Sequence, residues 1–358
     1  MAGKNQWRVL DTGVRPAAQN MALNRAVLET HAAGEAPHTL RFLQFTPSAL
    51  IGFHQDVAQE LRVDYCRAHD IAIQRRISGG GAIYLDETQL GWELYTSRRF
   101  FGTPDMTAIA RRVCEAAAAG ISRLGVDARY RPRNDIEVDG RKISGTGGVV
   151  EADSICYQGT VLIDFDVERM LRVLRIPAEK LSDKAIASAR ERVVNLTELL
   201  GHTPGLGQVK DALRQAFAEA FGLEFSDQGL NAVEAQRYGR ALEEMDSDDW
   251  VYQPERRPRT DAVAETLYRC QGGTVRVCVV LDEALQRIKQ LWIFGDFFLS
   301  PSRVVLDLEA TLKDSAVANL EHNVRQFFAQ RDVDMLLLQP ADFIAAIRQA
   351  IEVASTAP

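Results

Sequence analysis

The segment Arg75-Arg76-Ile77-Ser78-Gly79-Gly80-Gly81-Ala82-Ile83-Tyr84 constrains this chain more tightly than any other. Glycine loses more backbone freedom on folding than any other residue, so three in succession imply a sharp turn or a close approach to a ligand. Such a run can point several N–H groups at one place as an anion-binding nest. Arg75 and Arg76 add permanent positive charge suited to carboxylate or phosphate. A glycine-rich hairpin with a solvated basic flank explains the run equally well when it is taken alone.

A second segment, Arg133-Asn134-Asp135-Ile136-Glu137-Val138-Asp139-Gly140-Arg141-Lys142-Ile143-Ser144-Gly145-Thr146-Gly147-Gly148, narrows the choice. It reads as a short strand, a tight turn at Asp139-Gly140, and a second strand that carries Lys142 into more glycine. Strand alternation can turn Lys142 inward while Arg141 faces solvent. An inward lysine must find an anion or lose its proton. An ordinary surface lysine remains the alternative.

Together the two segments resemble the lipoate-protein ligase A family of the lipoate/biotin ligase superfamily. That family carries an Arg-Arg-x-Ser-Gly-Gly-Gly-Ala motif, an Arg-Asn-Asp element and a Gly-x-Lys-x-Ser/Thr-Gly element, and all three stand here in order. Gly159-Thr160-Val161-Leu162 is similar to its Gly-Thr-Leu-Leu strand. Lys184 to Leu196 is similar to its Lys-x-x-x-Ser-x-x-x-Arg-Val-x-Asn-Leu segment. The resemblance covers most of residues 1–225. It implies an α+β fold: a biotin/lipoate ligase-type catalytic domain with mixed and antiparallel sheets packed by helices, followed by a small α+β C-terminal domain.

The activity implied is ATP-dependent. Lipoate and ATP, as its magnesium complex, form lipoyl-AMP, and a lysine of a lipoyl carrier protein or domain then takes the acyl group; octanoate would fit the same linear slot. By the same resemblance Lys142 is the catalytic residue, offsetting negative charge on the acyl carbonyl and α-phosphate. Arg75, Arg76, Ser78, Gly79, Gly80, Gly81 and Ala82 form the adenylate cradle, with Ser144 and Gly145 beside Lys142. Asn134 and Asp135 hold the nucleotide, Asp135 through magnesium, and Lys184 reaches the phosphates. Trp7, Phe45, Ile73, Ile83 and Tyr84 are candidates for the apolar slot, each equally explicable as core.

Three departures from the family pattern bear on specificity. After Tyr84 the usual His-Asp is Leu85-Asp86, the usual Gly-Asn is Thr88-Gln89, and His-His-Gly is Tyr157-Gln158-Gly159. Tyr84, Leu85, Gln89 and Gln158 are therefore candidate specificity residues. A rival is an octanoyltransferase, which needs a cysteine nucleophile. Cys156 lies one position from where one such class places it, and a second class has its cysteine near Arg133–Asn134, where this chain has none. Cys156 reads as a strand residue, because Glu151, Asp153 and Ser154 supply no cation to lower a thiol pKa. Biotin-protein ligase is a weaker rival: the loop Gly52-Phe53-His54-Gln55-Asp56 lacks its arginines, and His54 reads as a loop residue without a catalytic role. A binder that holds a lipoyl carrier without catalysis is the alternative from another class.

Length fits about two domains, here 1–248 and 262–358 joined by a charged, proline-bearing linker at 249–261. The net charge of -7 gives no general attraction to nucleic acid or anionic membrane. Five scattered cysteines suit reduced thiols in the cytoplasm. No secretory or membrane-spanning stretch is expected, and tandem domains suggest a monomer. A helix should run from about Met21 to Glu29 and a strand from Leu40 to Phe45. A further helix should begin near Thr103-Pro104, with the threonine as cap and Gly125 at its end. Cys114 lies beside that helix's apolar stripe as small filler. The segment Thr274–Val280 and the run from Leu285 to Phe294 predict a second sheet, closed by helices near 316–328 and 340–353. Ile293-Phe294-Gly295-Asp296-Phe297-Phe298 resembles part of the family's accessory domain.

Overall fold

A computed structural model describes residues 5–132, 134–175, 190–253, 263–282 and 284–356. In the first unit eleven strands are placed: β1 (Gln6–Arg15), β2 (Thr39–Phe45), β3 (Ser48–Ile51), β4 (Ala72–Arg75), β5 (Ile83–Leu85), β6 (Gln89–Ser97), β7 (Ala128–Arg131), β8 (Asp135–Val138), β9 (Arg141–Glu151), β10 (Ser154–Leu162) and β11 (Glu224–Asp227). Eight of them form one sheet in the order β11-β1-β2-β6-β10-β9-β8-β7, and β4-β3-β5 form a small second sheet. The large sheet is mixed: β1 runs parallel to β2 and β11, and the remaining neighbours are antiparallel. The expected α+β class of mixed sheets packed by helices is the one observed.

Period-two alternation divides the faces of the large sheet. Leu90, Trp92 and Leu94 of β6 enter the main core with Ile109, Val113 and Ile121 of helix Met106–Ser122 and Val209, Leu213 and Phe217 of helix Leu206–Phe221. On the opposite face Gly91 and Glu93 of β6, Leu43 of β2 and Gln158 of β10 look toward helix Ala17–Ala32 and the small sheet. A cavity opens between these layers.

The Asp139-Gly140 turn takes positive φ at both residues, 51° and 76°, as a two-residue hairpin of this twist demands. Met106–Ser122 begins at Asp105, whose side chain accepts from the Thr107 N–H; Asp105, rather than Thr103, is the cap. A carboxylate there also suits the positive helix end.

The C-terminal unit is an antiparallel sheet of β12 (Ala264–Cys270), β13 (Gly273–Asp282), β14 (Arg287–Gly295) and β16 (Ser315–Ala316), with a two-stranded piece of β15 (Leu299–Ser300) and β17 (Asp334–Met335). Val275, Val277 and Val279 alternate inward against Leu308, Phe343 and Ile347 of helices Val304–Leu312 and Pro340–Thr356. A third helix spans Leu320–Ala329. The expected linker begins differently: Asp248–Tyr252 is a short helix capped by Ser247, and Val251 is buried in the first unit. Among the described residues no helix is long and apolar enough to cross a membrane.

Candidate active site

The glycine run is a loop between β4 and β5 with Gly80 at φ +91°, in the left-handed region. A Cβ on Gly52 would overlap the Gly80 carbonyl, so the neighbouring loop also depends on a bare backbone. The two adjacent arginines take opposite roles. Arg75 turns away from the cavity, and its guanidinium donates to the carbonyls of Phe53 (2.8 Å), Gln55 (2.7 Å), Trp250 (3.2 Å) and Val251 (3.1 Å). Its place in the cradle is corrected accordingly: it fastens loops and does not line the cavity.

Arg76 lines the cavity. Its guanidinium donates to the carbonyls of Leu50 (3.2 Å), Gly79 (3.1 Å) and Gly81 (2.8 Å), which shape the loop. Burial, which desolvates the charge, lowers its pKa to about 10, and among the described residues no carboxylate pairs with it. An entering anion would supply that pairing.

Lys142 also lines the cavity. The β8–β9 register pairs Glu137 with Lys142 and Ile136 with Ser144, so Ile143 is the extra residue of a bulge. The bulge sends Ile143 into the core and Lys142 to the cavity. Residues 192–194 clamp the lysine backbone: Lys142 N–H donates to Arg192 O (2.8 Å) and Val194 N–H to Lys142 O (2.9 Å). The ammonium pairs with Asp135 at 2.6 Å and lies over Gly145, where a Cβ would come within 3.0 Å of Nζ. Asn134 is pinned by its side-chain bond to Thr146 O (2.7 Å). Ser144, beside Gly145 on β9, is buried and does not line the cavity. Lys184 lies outside the described residues.

Asp135 was the expected magnesium ligand. Among the described residues no group of three or more His, Cys, Asp or Glu gathers around it, and its carboxylate already faces Lys142. One carboxylate is too few protein ligands for a resident magnesium ion, which would take the rest of its shell from phosphate oxygens and water.

The cavity measures about 500 Å³. Its apolar part is made by Met21, Leu43, Phe45, Leu50, Ile83, Leu85, Leu162 and Phe165, with Tyr84 and Gln89 beside them. Of the five slot candidates, Phe45, Ile83 and Tyr84 line it; Trp7 belongs to the main core and Ile73 to the cluster around the small sheet. Gln158 lines it as well and donates to Ser78 Oγ at 3.1 Å, tying β10 to the glycine loop.

Sequence reasoning missed the polar floor next to Gln158. Arg41 and Glu93 form a buried ion pair at 2.9 Å, and Tyr95 OH (2.5 Å) and Asn24 (3.0 Å) donate to the same carboxylate. The available signal was one charge inside each of two apolar strands, Leu40-Arg41-Phe42 and Trp92-Glu93-Leu94. Also unforeseen, Asp296, Phe298, Leu336 and Leu337 of the C-terminal unit close one side of the cavity. His54 belongs to this contact: its carbonyl accepts from Gly295 N–H (3.1 Å) and its ring stacks on Phe297.

All five cysteines are described and none lines the cavity. Cys156 is fully buried, and burial pushes its thiol well above the usual range, with the Glu93 carboxylate adding to the shift. Cys114 sits against Thr146 and Tyr157 hydroxyls in the core, as filler.

Comparison with known proteins agrees with this architecture. The chain is 29% identical over 270 residues to an octanoyltransferase LipM from Kyrpidia tusciae, covering 69% of this chain and 98% of that protein. A solved bipartite lipoate protein ligase from Thermoplasma acidophilum, described together with its E2 lipoyl domain, is 26% identical and matches with TM-score 0.63 over 72% of this chain and 99% of that one. A P. falciparum LipL1 structure in complex with lipoate shares 16% identity, yet its fold matches with TM-score 0.73 over 96% of this chain and 99% of that one, so both units are included. The model of the lipoyl protein ligase A/B catalytic domain matches residues 16–218, and the chain belongs to that family.

Proposed function

We propose that this enzyme of the lipoate/biotin ligase superfamily is an ATP-dependent ligase that joins lipoate or octanoate to a lysine of a lipoyl carrier domain through an acyl-adenylate. In the first step a carboxylate oxygen bonds the α-phosphorus of ATP, the α–β phosphoanhydride breaks, and pyrophosphate leaves. In the second the carrier amine bonds the acyl carbon, loses a proton, and AMP departs. The first step brings two anions together and both steps develop negative charge on the reacting oxygens, so fixed positive groups there lower the barrier.

The observation that carries this reading is Lys142, held over Gly145 by Asp135 on the wall of a cavity that also has an apolar part. Its ammonium offsets charge on the acyl carbonyl and α-phosphate. Arg76, caged by the carbonyls of Leu50, Gly79 and Gly81, supplies the second cation, and the glycine loop offers backbone N–H groups. The apolar walls suit a linear acyl chain. The Thermoplasma ligase, described with its E2 lipoyl domain, supports such a domain as the acceptor.

The likeness to LipM favours a second reading, octanoyl transfer from an acyl carrier without ATP. That chemistry requires a thiolate next to the acyl group, and a buried cysteine with a raised pKa off the cavity wall does not provide one. The test is the intact mass of an unmodified lipoyl carrier domain after incubation with enzyme, magnesium and lipoate, with and without ATP. An adduct only with ATP establishes the ligase. Octanoyl transfer from an octanoyl carrier without ATP would replace it with the transferase.

A further inference from the structure

The buried polar floor reaches the glycine loop through two amides. Arg41 pairs with Glu93 at 2.9 Å, Asn24 Nδ2 donates to Glu93 Oε1 at 3.0 Å, and the same nitrogen donates to Gln158 Oε1 at 3.4 Å. Gln158 Nε2 then donates to Ser78 Oγ at 3.1 Å. Each link dictates the polarity of the next. As the partner of Arg41 the Glu93 carboxylate only accepts, so Asn24 must meet it with its NH2 group. That group also faces Tyr95 OH (3.3 Å) and Cys156 Sγ (3.4 Å), and it can only donate to Gln158. Gln158 therefore turns its oxygen to Asn24 and its NH2 group to Ser78. A hydroxyl that accepts from an amide keeps its own proton for another acceptor. Among the described residues none takes that proton, and Ser78 lines the cavity.

We propose that Asn24 and Gln158 are positioning residues that fix the Ser78 hydroxyl as a donor to the carboxylate of the acyl acid. This rests on the ligase reading above, which supplies the identity of the anion. Ser78 touches the substrate, and the two amides act through it. A free hydroxyl would have to reorient as the anion arrives, whereas this one is aimed beforehand. The same bond serves the carbonyl oxygen as it gains charge in the second step. Gln158 stands where the family pattern has a histidine, and an imidazole can present a donor or an acceptor according to its tautomer. The amide removes that ambiguity.

Such a relay is harmed more by reversal than by a cut. Asn24 lies behind the cavity wall. In Asn24→Asp the new carboxyl shares a proton with Glu93 and offers its other oxygen to Gln158. Gln158 then turns its NH2 group away from Ser78, and the hydroxyl is drawn to donate to the amide oxygen. Gln158→Met only cuts the relay, at similar volume. Octanoate and ATP affinities are measured separately by calorimetry on the full chain. Octanoate binding should weaken about tenfold in Ser78→Ala and Asn24→Asp and about threefold in Gln158→Met, with ATP affinity within about twofold throughout. In a Ser78→Ala background neither second substitution should weaken octanoate binding further. Packing damage gives the opposite pattern: a larger loss in Gln158→Met than in Asn24→Asp, or losses that persist without the hydroxyl. Either result, or unchanged octanoate affinity in all variants, overturns the proposal and leaves the ligase standing. If Asn24→Asp does not fold, Gln158→Met with and without the Ser78 hydroxyl decides alone. If wild type releases no pyrophosphate from ATP with octanoate or lipoate, the ligase reading fails and takes this one with it.

Discussion

Two glycine-rich segments face each other across the cavity, and they use glycine for different ends. In the loop Ser78–Gly81, Gly80 takes φ +91° and its carbonyl fills the place where a Gly52 side chain would be. Gly80 there supplies a conformation. In the strand segment Gly145–Gly148 and its neighbour Gly159 the backbone is extended, and glycine supplies clearance: Lys142 lies over Gly145, the Phe298 ring over Gly147, Tyr157 beside Gly148, and the Trp92 ring over Gly159. Like composition thus reports either a bend or an empty place held for a neighbour.

That distinction is open to mutation. Lys142→Ala removes the group for which Gly145 makes room, and pyrophosphate release should fall by about 10²–10³-fold with the fold intact. A near wild-type rate would strip the strand of its chemical role. Gly159→Ala drives a Cβ into the buried Trp92 ring and the Thr146 methyl, and urea unfolding should report a loss of about 1–3 kcal/mol. Gly145→Ala meets only the far end of a lysine that can swing aside. Its stability should stay within about 0.5 kcal/mol while adenylation drops about tenfold from the displaced ammonium. Equal stability losses at 145 and 159 would erase the difference between clearance for a substrate-binding group and clearance for the core. Cys156→Ala touches neither segment, and carrier modification should remain within about twofold; abolished modification would restore a covalent acyl-enzyme.

The parts of the site legible in the sequence are those fixed by local backbone chemistry. Asp139-Gly140 specifies its turn wherever it occurs between alternating strands, and three glycines demand a bare loop. The pair Arg75-Arg76 was legible as charge but not as two roles. Neighbouring strand residues point to opposite sides, and only tertiary packing decides which side holds the cavity. Asp248-Asp249 suits a charged linker and the first turn of a helix alike; Ser247 as cap decides for the helix. Arg41 with Glu93, and Phe298 against Gly80, depend on pairings between distant strands and between the two units, which no local pattern encodes.

Arg75 has a mechanical consequence. Its guanidinium grips the carbonyls of Trp250 and Val251, and the Trp250 indole N–H returns a bond to the Arg75 carbonyl at 3.1 Å. Arg75 also immediately precedes Arg76, which shapes the glycine loop. The short helix Asp248–Tyr252 is therefore fastened to the cradle itself, so a displacement of that helix is delivered to the loop over a span of a few bonds rather than dissipated through the sheet.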